Sequence, residues 1–190
     1  MAISSGDDRQ VLGLLTVGHG NLDRAALGGL LQDAAVDVVV DVRRYPGSRR
    51  NPDVRREALE RWLPETGIQY RWDERLGGRR HLPAGAMVID TWWTDAAFQA
   101  YAAHTRTEEF TAGMVDLLAL VQTHHVVIMC SETLWWRCHR RLIADVTTLE
   151  HQIPVEHLLP SGRHDRHKPA AGVRLRSDGR VVWDLPADSD

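Results

Sequence analysis

The chain has 190 residues, of which 43% are hydrophobic and 26% charged, and its net charge is −3. This describes one globular domain with a full core and excludes a disordered chain. The acidic balance argues against a dominant nonspecific grip on nucleic acid, and no apolar run approaches the roughly 20 residues that span a bilayer.

The start, MAISSGDDRQ, is polar and acidic. It has neither the basic nor the apolar region of a signal peptide, so a cytoplasmic location is expected. Two cysteines make no disulfide framework and are expected as thiols in a reducing cytosol. VLGLLTVGHG predicts a buried strand from about Leu12 to Val17, bounded by glycine. Asn21 is a candidate cap for a helix with apolar positions at Leu22, Ala25, Ala26, Leu30 and Leu31. VDVVVDVRRYPGSRR begins as a valine run, as a strand buried on both faces should. It then becomes a loop marked by Pro46, Gly47, Ser48 and Pro52.

Val54, Ala58, Leu59 and Trp62 carry helical spacing that is expected to stop near Pro64. IQYRW reads as a short strand, followed by a loop rich in glycine and arginine. A helix is expected from around Thr91, and a second from a capping region at Thr107, Glu108, Glu109 and Phe110. HVVIMC is another buried strand. LWWRCHRRLIADVTTLEH reads as one helix, and IPVEHLLP as a strand. GVRLRSDGRVVWDL resembles a hairpin turning at Asp178 and Gly179.

The order β-α-β-α-β-α-α-β-α-β, followed by a hairpin-like tail, predicts an α/β fold. A mainly parallel sheet flanked by helices is expected, in a Rossmann-like three-layer arrangement. It should fill one domain over residues 11–185, with flexible ends at 1–10 and 186–190.

In open parallel sheets ligands bind at the carboxyl ends of the strands. Three expected strands run directly into GHGN, DVRRYPGSRR and CSETLWWRCHRR. His19, Asp41, Arg43, Arg49, Cys130 and Glu132 should therefore share one rim. Cys130 ends a strand close to an expected helix start, whose dipole and free N–H groups favour a thiolate. Free cysteine is equally a common buried packing residue. Glu132 suits a general acid or base, or a plain acid at a helix N-terminus. Asp41 and Arg43 fall on one face of their strand, where they can pair or flank a ligand. Arg43 and Arg49 are read as the anion clamp, and His19 as the proton carrier. Trp135 and Trp136 could stack on a base or pack their helix.

On the expected helix Cys138 and His139 point about 100° apart, which reads Cys138 as packing. The cysteine and histidine spacings match neither C-x2-C nor H-x3-5-H, so no structural zinc is expected. A phosphate-binding thiolate loop is also disfavoured, because SETLWW has no glycine and carries an acid.

TVGHGN, VVVDVRRYPGSRRNP, LGG and IMCSE…WRCHRRLIAD, in this order, resemble the DUF488 family, a domain of unknown function. The resemblance runs from about Thr16 to His167 and implies an α/β domain. Carried over position by position, it marks His19, Asp41, Arg43, Pro46, Ser48, Arg49, Gly77, Gly78, Cys130, Glu132, Cys138, His139 and Arg140. His167 is a further candidate match. Position 20 is Gly where many relatives carry Ser.

These readings lead to one expectation and two rivals. The expectation is a small cytoplasmic enzyme acting on a small anionic or nucleotide-like substrate. Cys130, Glu132 and His19 would be catalytic. Asp41, Arg43, Ser48, Arg49, Gly77, Gly78, His139 and Arg140 would bind the substrate. The rivals are a nucleic-acid-binding or processing module, disfavoured by the acidic charge, and a metal- or haem-binding protein using Cys130 or histidines. Cofactor and oligomeric state are left open.

Overall fold

A computed structural model describes residues 13–185. Both expected flexible ends, at 1–10 and 186–190, lie outside the described residues. The elements are β1 (Leu14–Gly18), α1 (Arg24–Asp33), β2 (Val38–Asp41), α2 (Arg56–Glu65), β3 (Gln69–Trp72), α3 (Ala96–His104) and α4 (Glu108–Val121). They continue with β4 (Val126–Cys130), α5 (Arg140–Leu149), β5 (Val155–Leu158), β6 (His164–Arg166), β7 (Val173–Leu175) and β8 (Val181–Trp183).

Six strands form one sheet in the order β3-β2-β4-β1-β5-β6. β1 to β5 run parallel, and β6 closes one edge antiparallel to β5. β7 and β8 pair separately as the expected hairpin. The alternating pleat divides the core between two faces. Val17, Val39, Val127 and Met129 pack under Leu27 and Leu31 of α1 and Leu59 and Trp62 of α2. Val38, Val40, Ile128 and Cys130 face the opposite way, toward Tyr101, Phe110, Met114, Leu142 and Trp183. β2 and β4 are buried along their whole length, which is why their valine runs do not alternate with polar residues. Among the described residues no helix is long and apolar enough to cross a membrane.

Several local expectations need correction. α1 is capped by Asp23, whose side chain accepts from the Ala26 N–H, rather than by Asn21. The Asn21 position is two residues too early, and Asp23 supplies the acceptor at the right offset. α2 carries Pro64 inside its last turn and runs to Glu65. α3 starts at Ala96 behind an Asp95 cap, five residues after the expected Thr91. β6 is three polar residues, HDR, with no apolar pattern to announce a strand.

The largest correction concerns the segment after β4. The expected single helix is a 3₁₀ turn at Trp135–Arg137, then an extended Cys138 (φ −122°, ψ 147°), then α5. Tertiary partners override helix propensity here. Trp135 stacks on His157 of β5 at 3.9 Å between ring centroids. Arg140 reaches back to the Glu132 carbonyl and to Cys138 Sγ. A continuous helix could not hold both ends of that bridge.

Candidate functional site

β1, β2 and β4 are neighbours in the sheet and run in one direction, so their carboxyl ends meet. Gly18 pairs with Cys130, and Asp41 with Met129. The His19 N–H then donates to the Cys130 carbonyl, and the Val42 N–H to the Met129 carbonyl. Close approach of the connections after β1 and β4 requires glycine at position 18. A Cβ there would lie 1.9 Å from the Glu132 carbonyl oxygen and 2.8 Å from an Arg140 nitrogen.

Above this edge lies a cavity of about 310 Å³. His19, Arg43, Arg44, Tyr45, Ser48, Gly78, Arg79, Cys130, Glu132, Arg137, Cys138 and His139 help to line it, and Phe98 and Tyr101 of α3 cover one side.

One wall carries sulfur and imidazole. Cys130 and Cys138 are free and buried. His139 Nδ1 lies 3.6 Å from Cys138 Sγ and 3.9 Å from Cys130 Sγ. Its Nε2 lies 3.1 Å from the Val42 carbonyl oxygen, which can only accept. Nε2 therefore carries the proton when the ring is neutral, and the Nδ1 lone pair faces the thiols. Gly78 makes room for the ring, since a Cβ there would sit 2.9 Å from Nδ1. Because Cys138 is extended and His139 begins the helix turn, the two share the wall. The separation expected from a helical wheel does not arise.

The thiols behave as a pair. The hydrogen bond with Cys138 and then burial push the Cys130 thiol up. Burial also pushes Cys138 up, but the Cys130 hydrogen bond and the adjacent Arg140 outweigh it and bring that thiol below its ordinary value. Arg140 Nε donates to Cys138 Sγ at 3.4 Å. The two shifts run opposite ways, up at Cys130 and down at Cys138, which lies next to α5. Helix α5 starts at Arg140, with His139 as its N-cap residue.

Arg43 is buried and engaged on all sides. It forms a two-point ion pair with the fully buried Asp41. It also donates to the Val54 carbonyl at 2.8 Å and approaches His19 Nε2 at 3.2 Å. Tyr70 donates to the same Asp41 carboxylate at 2.7 Å. This cluster braces the floor of the cavity instead of clamping a ligand. His19 has both ring nitrogens occupied, with Nδ1 3.0 Å from the Gly20 carbonyl. Burial and the Arg43 charge lower its pKa to about 4. It stays neutral near pH 7.

The other expected residues divide. Ser48 lines the cavity, and its Oγ accepts from the Asn51 N–H. Glu132 lines it too, with Oε1 accepting from the Leu134 N–H. Arg49 is exposed and does not line the cavity. Gly77 packs against the Arg44 backbone, and Arg140 acts from behind the wall. Trp135 is taken up by its stack on His157, while Trp136 is exposed. Besides Arg43, which Asp41 holds, the cationic residues that line the space are Arg44, Arg79 and Arg137. Arg79 belongs to a basic run visible in the sequence, and Arg137 sits between Trp136 and Cys138. Phe98 and Tyr101 lie on an alanine-rich helix whose pattern signals only packing.

No curated protein and no solved structure matches the chain. The family model described as "Domain of unknown function DUF488" matches residues 22–147, an interval holding both cysteines, His139 and the basic loops, though His19 precedes it and His167 follows it. The match covers more than half of the chain, and the chain belongs to the DUF488 family.

Proposed function

We propose that the protein is an enzyme that binds a small anionic, nucleotide-like substrate in the cavity at the carboxyl edge of its sheet. The observation that carries this reading is a convergence. The end of β4 and the connections after β2, β3 and β4 deliver a paired thiol, an oriented imidazole, a carboxylate and three arginines to one space of about 310 Å³. That volume suits a small ligand. Arg44, Arg79 and Arg137 give the mouth an excess of positive charge over Glu132, and Arg43 is neutralised by Asp41. Guanidinium groups recognise phosphate and carboxylate by paired hydrogen bonds.

Tyr45 is 63% exposed at the mouth, with the Arg44 and Arg79 guanidinium groups 5.8 and 5.9 Å from its ring. That ring offers a flat surface for a base beside phosphate-binding charges. Glu132 can move protons, and the wall of Cys130, Cys138 and His139 supplies the reactive group. The role first expected of His19 passes to Glu132, because the ring nitrogens of His19 are already engaged.

Calorimetric titration with inorganic phosphate, a nucleoside monophosphate and a short dicarboxylate tests the reading. One of these should bind at one site, and Arg137→Ala should weaken it about tenfold. Absence of binding by all three at low salt overturns the proposal. Stronger binding to a single-stranded oligonucleotide than to the monophosphate would also overturn it, in favour of a nucleic-acid module.

A further inference from the structure

We infer that Cys130, Cys138 and His139 form a binding site for a soft divalent metal ion, with zinc the best fit. The site has three protein ligands and a fourth position open to the cavity. The three donor atoms, two Sγ and one Nδ1, lie within 4.8 Å of one another. The argument is geometric. Zinc bonds of about 2.3 Å to sulfur and about 2.0 Å to nitrogen, set at tetrahedral angles, place sulfur and nitrogen about 3.5 Å apart. The corresponding distances are 3.6 Å for Cys138 and 3.9 Å for Cys130. The two sulfur–nitrogen sides need a shift of only a few tenths of an ångström, and the sulfur–sulfur side, within 4.8 Å, would close to about 3.8 Å on an ion.

The surroundings are those of a ligand set. His139 donates Nε2–H to the Val42 carbonyl. This fixes its tautomer and leaves Nδ1 as a free lone pair aimed at both sulfurs, as in metal-binding histidines held by a carbonyl. Gly78 and Tyr101 bracket the ring, with the Tyr101 centroid 4.9 Å away. Arg140 holds Cys138 Sγ from behind. Two thiolates also balance the charge of a divalent ion within a largely closed wall. All three residues line the cavity, so an ion between them would face open space on one side. Three ligands with an open position are the pattern of a reactive zinc rather than a structural one. Linear spacing conceals the site because the ligands come from a strand end and from a bend that sequence patterning reads as helix.

Binding of the metal does not depend on the proposed function; only the use of the open position by substrate rests on that reading. The test uses reduced, chelator-stripped full-length protein titrated with Co²⁺ and then with Zn²⁺. One equivalent of Co²⁺ should produce the visible bands of a tetrahedral thiolate site and an ultraviolet sulfur-to-cobalt band, both abolished by Zn²⁺. Cys130→Ser should about halve the sulfur-to-cobalt band. His139→Ala should lower cobalt affinity at least about 100-fold, since even outer partners of a ligand are worth 10- to 100-fold. X-ray absorption of the zinc-loaded wild type needs no variant and should show two sulfur neighbours near 2.3 Å. The inference is overturned if one equivalent of Co²⁺ gives no thiolate bands, if the bands survive in the Cys130→Ser, Cys138→Ser double variant, or if zinc shows only nitrogen and oxygen neighbours. Anion binding measured on the stripped protein separates failure of the metal site from failure of the pocket.

Discussion

Two buried polar clusters flank the segment from Cys130 to Asp145, and they are built on opposite terms. Behind the wall, Asp145 Oδ1 meets His167 Nε2 at 2.9 Å and accepts from the Ala170 N–H at 3.1 Å. Its Oδ2 accepts from Trp183 Nε1 at 2.8 Å. His167 Nδ1 lies 3.0 Å from His157 Nε2, and His157 Nδ1 lies 2.8 Å from Thr16 Oγ1. Because the carboxylate only accepts, one assignment satisfies the whole chain: Thr16 donates to His157, His157 to His167, and His167 to Asp145. Every site in that network is used, and it ties β1, β5, α5 and β8 together. At the cavity wall the two sulfurs are buried and His139 is half-buried, and its Nδ1 lone pair meets only two weakly bonding sulfurs. A closed network stabilises a fold, whereas an open one has capacity left for a ligand.

The contrast predicts a large difference in the cost of disruption. Asp145→Ala strands three buried donors, those of His167, Ala170 and Trp183. Leaving a buried hydrogen-bonded charge cluster without one member costs about 3–5 kcal/mol, a large share of a typical domain's stability. Urea unfolding followed by tryptophan fluorescence should show this as a sharply lower midpoint. A loss below about 1 kcal/mol would mean that the network does not brace the fold.

The acid response comes next in size. Burial lowers the His157 pKa from 6.5 to about 3, with further contributions from His167 and Arg140. Asp145 stands at the far end of the same chain, beyond His167. Between these two values the unfolded chain binds a proton that the folded one refuses. The stabilisation is complete above pH 6.5 and is lost as pH falls toward 3. This one group should cost about 2 kcal/mol by pH 5, at about 1.4 kcal/mol per pH unit. His19, also lowered by burial, contributes with the same sign, so the His157 share is read as the difference between wild type and His157→Gln. Parallel acid limbs for the two proteins would refute the assignment.

The same two clusters show what the sequence could reveal. The strands announced themselves because a doubly buried parallel sheet needs unbroken valine runs, as at Val38–Val40 and Val126–Val127. Their shared direction marked the edge of the sheet where His19, Arg43, Cys130 and Glu132 line one cavity, while Ser48 and His139 were marked by the family resemblance alone. Two things stayed hidden. The bend at Cys138 depends on Trp135 finding His157 and on Arg140 finding Glu132, which are contacts between distant or oppositely read residues. The commitment of Arg43 to Asp41 is local and that of His19 to Arg43 tertiary, but both are hidden, since two charged residues at a strand end look alike whether they grip each other or a ligand. Position was legible, but which polar groups remained unsatisfied was not.

The smallest effect sharpens the comparison most. Cys138→Ala removes a buried sulfur that contributes packing and one long hydrogen bond from Arg140. Its two weak polar neighbours, His139 Nδ1 and Cys130 Sγ, lose little by its absence. The cost to the metal-free protein should be about 1 kcal/mol, the ordinary scale for a buried substitution, because the Arg140 Nε–H loses only a long bond to sulfur. Arg140 remains anchored through the Glu132 carbonyl, so its charge is not left unpartnered. Urea midpoints of the chelator-stripped wild type and variant measure this directly, on the same scale as Asp145→Ala. If Cys138→Ala costs as much as Asp145→Ala, the sulfur wall is itself a structural brace, and its open lone pair is no sign of a site. If it costs a small fraction of that, the wall is held in place by its neighbours rather than for the sake of stability. The sulfur is then free to serve chemistry at the cavity.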